Sequence, residues 1–393
     1  MYNHDNSADF YSISEGGLVQ RILQKWKIEK RPWHVAILFI CITWLPLFIF
    51  NAIEGKLYSG SSLPFLKDVA LQGRILLGIP MLILIRNVIY KKVSPVLKYL
   101  AEVMMIPEEW EYFIQGPLQK AKKNIDSIWI EFLLILVVVG IAMGSSAGTA
   151  LFADHSYAGS WVFSGENGSH QLSHAGIWMH YISIPVFQFL FSRWLWQYFI
   201  WVRLLFQISK MNLNLQPTHP DSTGGLGIIQ LAQKNFILLF MVFGMVISGG
   251  MIASLLKDTN LFDIIKVQVV GYLILGLFMM IFPLFFFIPK LVKTKYNGLL
   301  NLSKAGASLS TKYESEFVEF MCEEKKIAEN TVDPSMQVDY FGVYQSLQVM
   351  RTIPIRFSDI AIMAIMLFVP FIPIFFIKYS VGEILQKLMG LLV

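Results

Sequence analysis

Apolar residues run along this chain in seven long blocks, parted by shorter polar or charged stretches. The blocks cover about 34–53, 66–89, 127–153, 176–205, 235–256, 265–289 and 358–377. Each reaches the roughly 18 residues that a helix needs to cross a hydrocarbon layer. The pattern predicts an all-α fold: a polytopic membrane helical bundle of about seven transmembrane helices with further helices outside the membrane. Pro46, Pro80, Pro283, Pro370 and Pro373 fall inside these blocks and predict bends, because proline removes a helical hydrogen bond.

The segments between the blocks have their own periodicity. Residues 1–11 are polar and predict disorder. Leu18, Val19, Ile22, Leu23 and Trp26 then recur at helical spacing beside Arg21, Lys25 and Lys27, which predicts an amphipathic helix at a membrane surface. The connector 91–125 predicts two short helices split near Pro107. The largest polar segment, 290–357, predicts a helix ending near Asn330 and a loop over 331–340. The organisation expected is therefore a tail and interfacial helix over 1–33, a six-span membrane domain over 34–289, a helical segment over 290–357, and a last span with an amphipathic tail over 358–393.

Composition sharpens the class. Hydrophobic residues make up 55% of the 393 and charged residues 15%, against the roughly 25% charged that is usual for soluble domains. A soluble globular reading is excluded by the length and number of the apolar blocks. Two cysteines, Cys41 and Cys322, are too few for a disulfide framework. The net charge of +5 comes from loop lysines and arginines, which orient a membrane chain and do not point to nucleic acid. Residues 1–33 carry five of them and the connector 91–125 six, whereas the stretch 154–174 carries none. The N-terminus is thus expected on the cytoplasmic side of an inner membrane, with the first span acting as its own targeting signal. Lys378 and Lys387 would then lie outside, unless the last span is a re-entrant hairpin broken at its prolines.

Chemistry-bearing residues stand out against this background. Arg193 falls deep in the fourth block, where a charge needs a partner, carbonyls or water. Glu131 in the third block is the candidate partner, though its expected depth differs by about two turns. Arg74 lies a short way into the second block and reaches the interface only with a stretch. Gly140, Gly144 and Gly148 form an i, i+4, i+8 stripe that would let another helix approach closely.

After the fourth block comes His219-Pro220-Asp221-Ser222-Thr223-Gly224-Gly225-Leu226-Gly227. There a proline-fixed imidazole and carboxylate meet glycines free to take positive φ. A rigid turn joining two helices and a small His/Asp site are both compatible with that spacing. His170 and His174, with His155 or Asp154, could hold a metal on the outer side; an ordinary outer loop is the alternative. No nucleophile, HExxH or dinucleotide motif is present.

Two stretches, Arg193–Gly227 with its Trp-rich span and HPDxxGGLG loop, and Tyr340–Phe357, resemble an uncharacterised family of bacterial multi-pass membrane proteins. The resemblance covers less than a quarter of the chain and implies no activity. Arg351 with Phe357-Ser358-Asp359 is also similar to a signature that opens the first span of an unusual potassium-channel family. Here it opens the last span, and the similarity is set aside.

The function expected from these features is membrane transport, as an oligomeric ion channel built from copies of this chain and passing a small ion. The alternatives are a membrane enzyme using His219 and Asp221, and a membrane sensor or effector. No cofactor is indicated.

Overall fold

The computed structural model describes residues 8–11, 13, 16–17, 21, 25, 31–144, 160–164, 172–256, 259–323 and 334–378. Among them the regular elements are helices, and β-pairing is limited to isolated bridges such as Met105 with Leu213.

Helix α1 spans Pro32–Ile53 and α2 Val69–Met104. Pro107–Ile125 forms α3 and Ile128–Gly144 forms α4, the two meeting at a bend of 42°. Helix α5 runs unbroken over 174–210, from His174–Trp178 through a π turn, Met179–Ser183, into Ile184–Lys210. Helix α6 spans Leu226–Leu255. Helix α7, Phe262–Ile281, passes through a 3-10 stretch, Phe282–Phe287, directly into α8, Ile288–Glu323. Pro334–Gln348 is α9, and Phe357–Ile377 is α10.

Five helical stretches are long and apolar enough to cross a membrane, and six if the bent α3–α4 pair counts as one span. The chain is an all-α membrane bundle, as its hydrophobic pattern indicates. Its outward faces agree: Trp129, Phe132 and Leu133 of α4, Val267 and Ile274 of α7, and Ile362 and Ile365 of α10 are exposed. In water such a surface would aggregate; in a bilayer it meets lipid.

The boundaries differ from the sequence reading in ways that have physical causes. The second span does not stop near 89 but continues to Met104 through Pro95, because the apolar positions Val93, Val96, Leu97 and Leu100 stay on one buried face. The break near Pro107 stands where expected, with Met105 and Ile106 extended ahead of it. The fourth block is a helix but is not among the apolar spans. Gln188, Arg193, Gln197 and its tryptophans lower its hydropathy, and it serves as a central packing helix with Leu204, Leu205 and Ile208 almost fully buried.

Residues 334–340, expected as loop, open α9, with Pro334 at its first position. The last span is one helix of 21 residues and not a hairpin: Pro370 falls in a 3-10 turn that the helix absorbs. The interfacial helix expected after Ser12, the tail beyond Lys378, and Gly148 lie wholly or largely outside the described residues.

The centre is made by α2, α5 and α6. Gly249 of α6 lies so close to α2 that a Cβ there would sit 2.7 Å from the Ala70 Cα. The Trp194 indole donates to the Leu82 carbonyl at 2.7 Å, joining α5 to α2. The Trp201 indole donates to Gln233 Oε1 at 2.8 Å, and Gln233 Nε2 donates to the Met280 carbonyl at 2.7 Å. One amide thereby ties α5, α6 and α7, which satisfies polar groups that would be costly in hydrocarbon.

Candidate functional site

Two clusters collect most of the chemistry, one at the middle of α5 and one in the turn between α5 and α6. The first is built on Arg193. Its Nε lies 2.9 Å from Glu131 Oε1, with side-chain exposures of 16% and 3%. The expected two-turn mismatch in depth is absent because α3 lies along the C-terminal half of α5, where Trp196 Nε1 donates to the Asn124 carbonyl and the Asn212 amide to Glu109, which brings the α3–α4 bend and Glu131 level with Arg193. At that bend the Gly17 amide donates to Asp126 Oδ1 at 3.0 Å, and Arg21 pairs with Asp126 Oδ2 at 2.7 Å. Arg193 also donates to the Gly16 carbonyl. The Gly17 amide, with Arg21 beside it, outweighs desolvation and holds the Asp126 carboxyl below its ordinary range. Arg193 is therefore buried but not isolated: a charged, half-exposed joint stands beside it.

Toward the other end of α5 the buried polar groups continue. Gln188 is buried with neither amide atom hydrogen-bonded among the described residues. His180, in the π turn, lies with Nε2 2.7 Å from the Ala142 carbonyl of α4. The Ser183 hydroxyl donates to the Thr43 carbonyl at 2.6 Å. Arg74, which could reach the interface only with a stretch, is buried within the bundle, in the π stretch Gly73–Gly78 of α2. It lies apart from the pair, more than two helical turns up α2 from Leu82, which meets α5 one residue past Arg193.

The second cluster is the turn between α5 and α6. The Asp221 carboxylate accepts the Thr223 amide at 2.8 Å and the Gly225 amide at 3.1 Å on Oδ1, and the Gly227 amide at 2.8 Å on Oδ2. Burial alone would raise its pKa; the three amides outweigh it and hold the carboxyl below the ordinary value. His219 Nδ1 lies 2.9 Å from Asp221 Oδ1 and 3.3 Å from the Asp221 amide. The two contacts require opposite roles of one nitrogen. The shorter one, to a carboxylate, is the stronger, so Nδ1–H donates to Asp221.

Gly225 takes φ +95, which side-chain-bearing residues rarely adopt, and a Cβ there would have to displace the Met104 thioether, 2.7 Å away. Arg351 closes the turn from outside: its amide donates to the Ser222 carbonyl at 2.7 Å and its guanidinium to the Asp221 carbonyl at 2.8 Å. Gln230 Oε1 accepts the Arg356 amide at 3.0 Å. The turn is thereby locked to the strand-like lead into α10, and its carboxylate is spent on backbone groups.

The remaining candidates are dispersed. A Cβ on Gly140 would meet nothing within 4 Å, so among the described residues this position of the stripe does not receive a helix. Gly144 ends α4. Gly224, at φ +65, faces Leu291 and Met350. His155 and His170 lie outside the described residues. His174 is exposed, with Nδ1 3.4 Å from Glu54 Oε1. No group of three potential metal ligands occurs among the described residues.

Residues that sequence reasoning passed over include Gly16 and Gly17, Gln188 and Gln233, and Arg351 was named only within a channel-like signature and not as a partner of the turn. The adjacent glycines and the two buried glutamines were visible as a turn signal and as breaks in apolar runs. The Arg351 contact, spanning 130 residues, had no local signature.

Compared with known proteins, the chain matches no family model, no curated protein and no solved structure.

Proposed function

We propose that this chain is a membrane transport protein of the ion-channel type, assembled from several copies in an inner membrane with its N-terminus cytoplasmic. The observation that carries the reading is the buried Arg193–Glu131 pair, continued along α5 by Gln188, His180 and Ser183. Ionisable and polar groups inside membrane helices are costly and are retained where ions or water are handled. The π segments of α2 and α5 place irregular backbone beside these groups, a feature often found at functional sites. By the preference of lysine and arginine for the cytoplasm, the end with Lys210, Lys234 and Lys290 faces inward. The layer of α3, the Asp221 turn, α8 and α9 then forms the gating or assembly part. The enzyme alternative loses ground, since an Asp221 carboxylate already accepting three amides is poorly placed to act as a base.

The test is flux in liposomes loaded with a potassium- or chloride-sensitive dye. Reconstituted protein is expected to pass an ion at a rate that Arg193→Ala and Gln188→Leu alter. Folded protein that passes no ion under varied voltage, pH and calcium sinks the proposal.

A further inference from the structure

The described N-terminal residues, 8–11, 13, 16 and 17, contact four helices, with Gly16 and Gly17 at the α3–α4 bend. Tyr11 and Ile13 are buried, at 2% and 4% exposure. The Tyr11 hydroxyl donates to Glu102 Oε1 of α2 at 3.3 Å. Lys122 of α3 donates to the Phe10 carbonyl, and its ammonium lies 4.6 Å from the Phe10 ring centre. The chain then turns through Gly16 (φ +133) and Gly17 (φ +92). This turn offers the Gly16 carbonyl to Arg193 of α5 and the Gly17 amide to Asp126 at the bend. A Cβ on Gly17 would collide with the Glu131 carboxylate, so the fit against α4 admits only glycine.

We propose that residues 8–17 are a latch that holds the α3–α4 joint in its 42° bend, and that undocking the latch frees the joint to change angle. Three facts support a latch over a fixed core element. Its described contacts to the joint use backbone groups, the Gly17 amide on Asp126 and the Phe10 carbonyl on Lys122, and the Arg21–Asp126 pair that follows the segment has side chains 46% and 49% exposed; such pairs are weak and salt-screened. The joint itself is a two-residue break, Asp126 and Ser127, between helices that end there; α3 and α4 are each tied to α5, through Trp196–Asn124 and Arg193–Glu131, and Gly16 and Gly17 bind at the break between those two ties. The latch also contacts Arg193, so its release alters the surroundings of the buried pair. The inference goes beyond the transport reading and does not need it.

The experiment is hydrogen exchange by mass spectrometry on the full chain in lipid nanodiscs, comparing the wild type with Gly17→Val and Asp126→Asn. Gly17→Val pushes the turn off Glu131; Asp126→Asn removes the charge that receives the Gly17 amide and Arg21. Peptides covering 8–17 are expected to be protected in the wild type. In both variants they should exchange at least about tenfold faster, the effect of losing a charge-assisted hydrogen bond, and peptides covering 119–131 should follow. Peptides from α6 and α7 should keep their wild-type rates. Free exchange of 8–17 in the wild type overturns the latch, as does an unchanged joint once 8–17 is undocked. A rise in every helix shows that the segment belongs to the core, and overturns it too. None of these readouts depends on ion flux, so the outcome is separate from the fate of the transport proposal.

Discussion

Arg193 Nε and Glu131 Oε1 meet at 2.9 Å between α5 and α4, the carboxylate almost wholly buried. Removing one partner leaves the other charge buried, which costs about 3–5 kcal/mol, whereas replacing both with apolar residues is often nearly neutral. Arg193→Ala and Glu131→Ala are each expected to lower folded stability by that order. The double variant Arg193→Leu/Glu131→Leu should lose far less than the sum of the two. Thermal unfolding in detergent, run as a double-mutant cycle, measures the coupling; additive losses would show that the pair does not act as a unit.

The Asp221 turn should respond to acid in a defined direction. A carboxyl held below its ordinary pKa contributes stability that is present above the unfolded value, near about 4. That stability is lost as pH falls through the lower folded value. Asp221→Ala, which strips three amides of their acceptor, is expected to cost about 2–4 kcal/mol. It should also flatten the acid limb of a stability curve recorded below pH about 4. An unchanged acid limb would show that other carboxylates set it.

Two glycines of α6 should behave oppositely. A Cβ at Gly249 would lie 2.7 Å from the Ala70 Cα, whereas one at Gly250 meets nothing within 4 Å. Gly249→Val is expected to abolish the folded yield by forcing α6 from α2. Gly250→Ala is expected to be neutral or to stabilise by up to about 1 kcal/mol through helix propensity. Size-exclusion profiles of the two variants, side by side, decide it.

Lys295 of α8 donates to the carbonyls of Gln348 and Met350, both at 2.7 Å, satisfying groups left open at the end of α9. Lys295→Met keeps the stem and removes the donor. The end of α9 is expected to loosen by about 1–3 kcal/mol, read as faster amide exchange over 343–350 with α6 unaffected.

How much of this was written in the local sequence varies with the distance over which each contact acts. The apolar blocks carried the fold class because a helix that crosses a bilayer must bury its own backbone groups, which is a property of twenty neighbouring residues. The Arg193–Glu131 pair was nameable from the cost of a buried charge, but its depth was misjudged, since the packing of α3 along the C-terminal half of α5, which sets the level of Glu131, has no local signature. The Asp221 turn was legible as a rigid element through its proline and glycines. Its closure by Arg351 was not, because no periodicity joins residues so far apart. The extension of α2 past Lys91 and Lys92 was hidden by the reading of charge as span end; those lysines are exposed while Val93 and Val96 remain buried, as on any half-covered helix.

The absence of a joint between α7 and α8 has a mechanical consequence. The helix continues from Phe262 through the 3-10 stretch Phe282–Phe287 to Glu323, so its outer 36-residue portion, Ile288–Glu323, is carried by the part inside the bundle. At 1.5 Å per residue that arm is about 54 Å long. A tilt of only about 5° at its root would sweep its tip through about 5 Å, by the same rise per residue. A small rearrangement among the packed apolar helices would thus be enlarged at the far end of this arm.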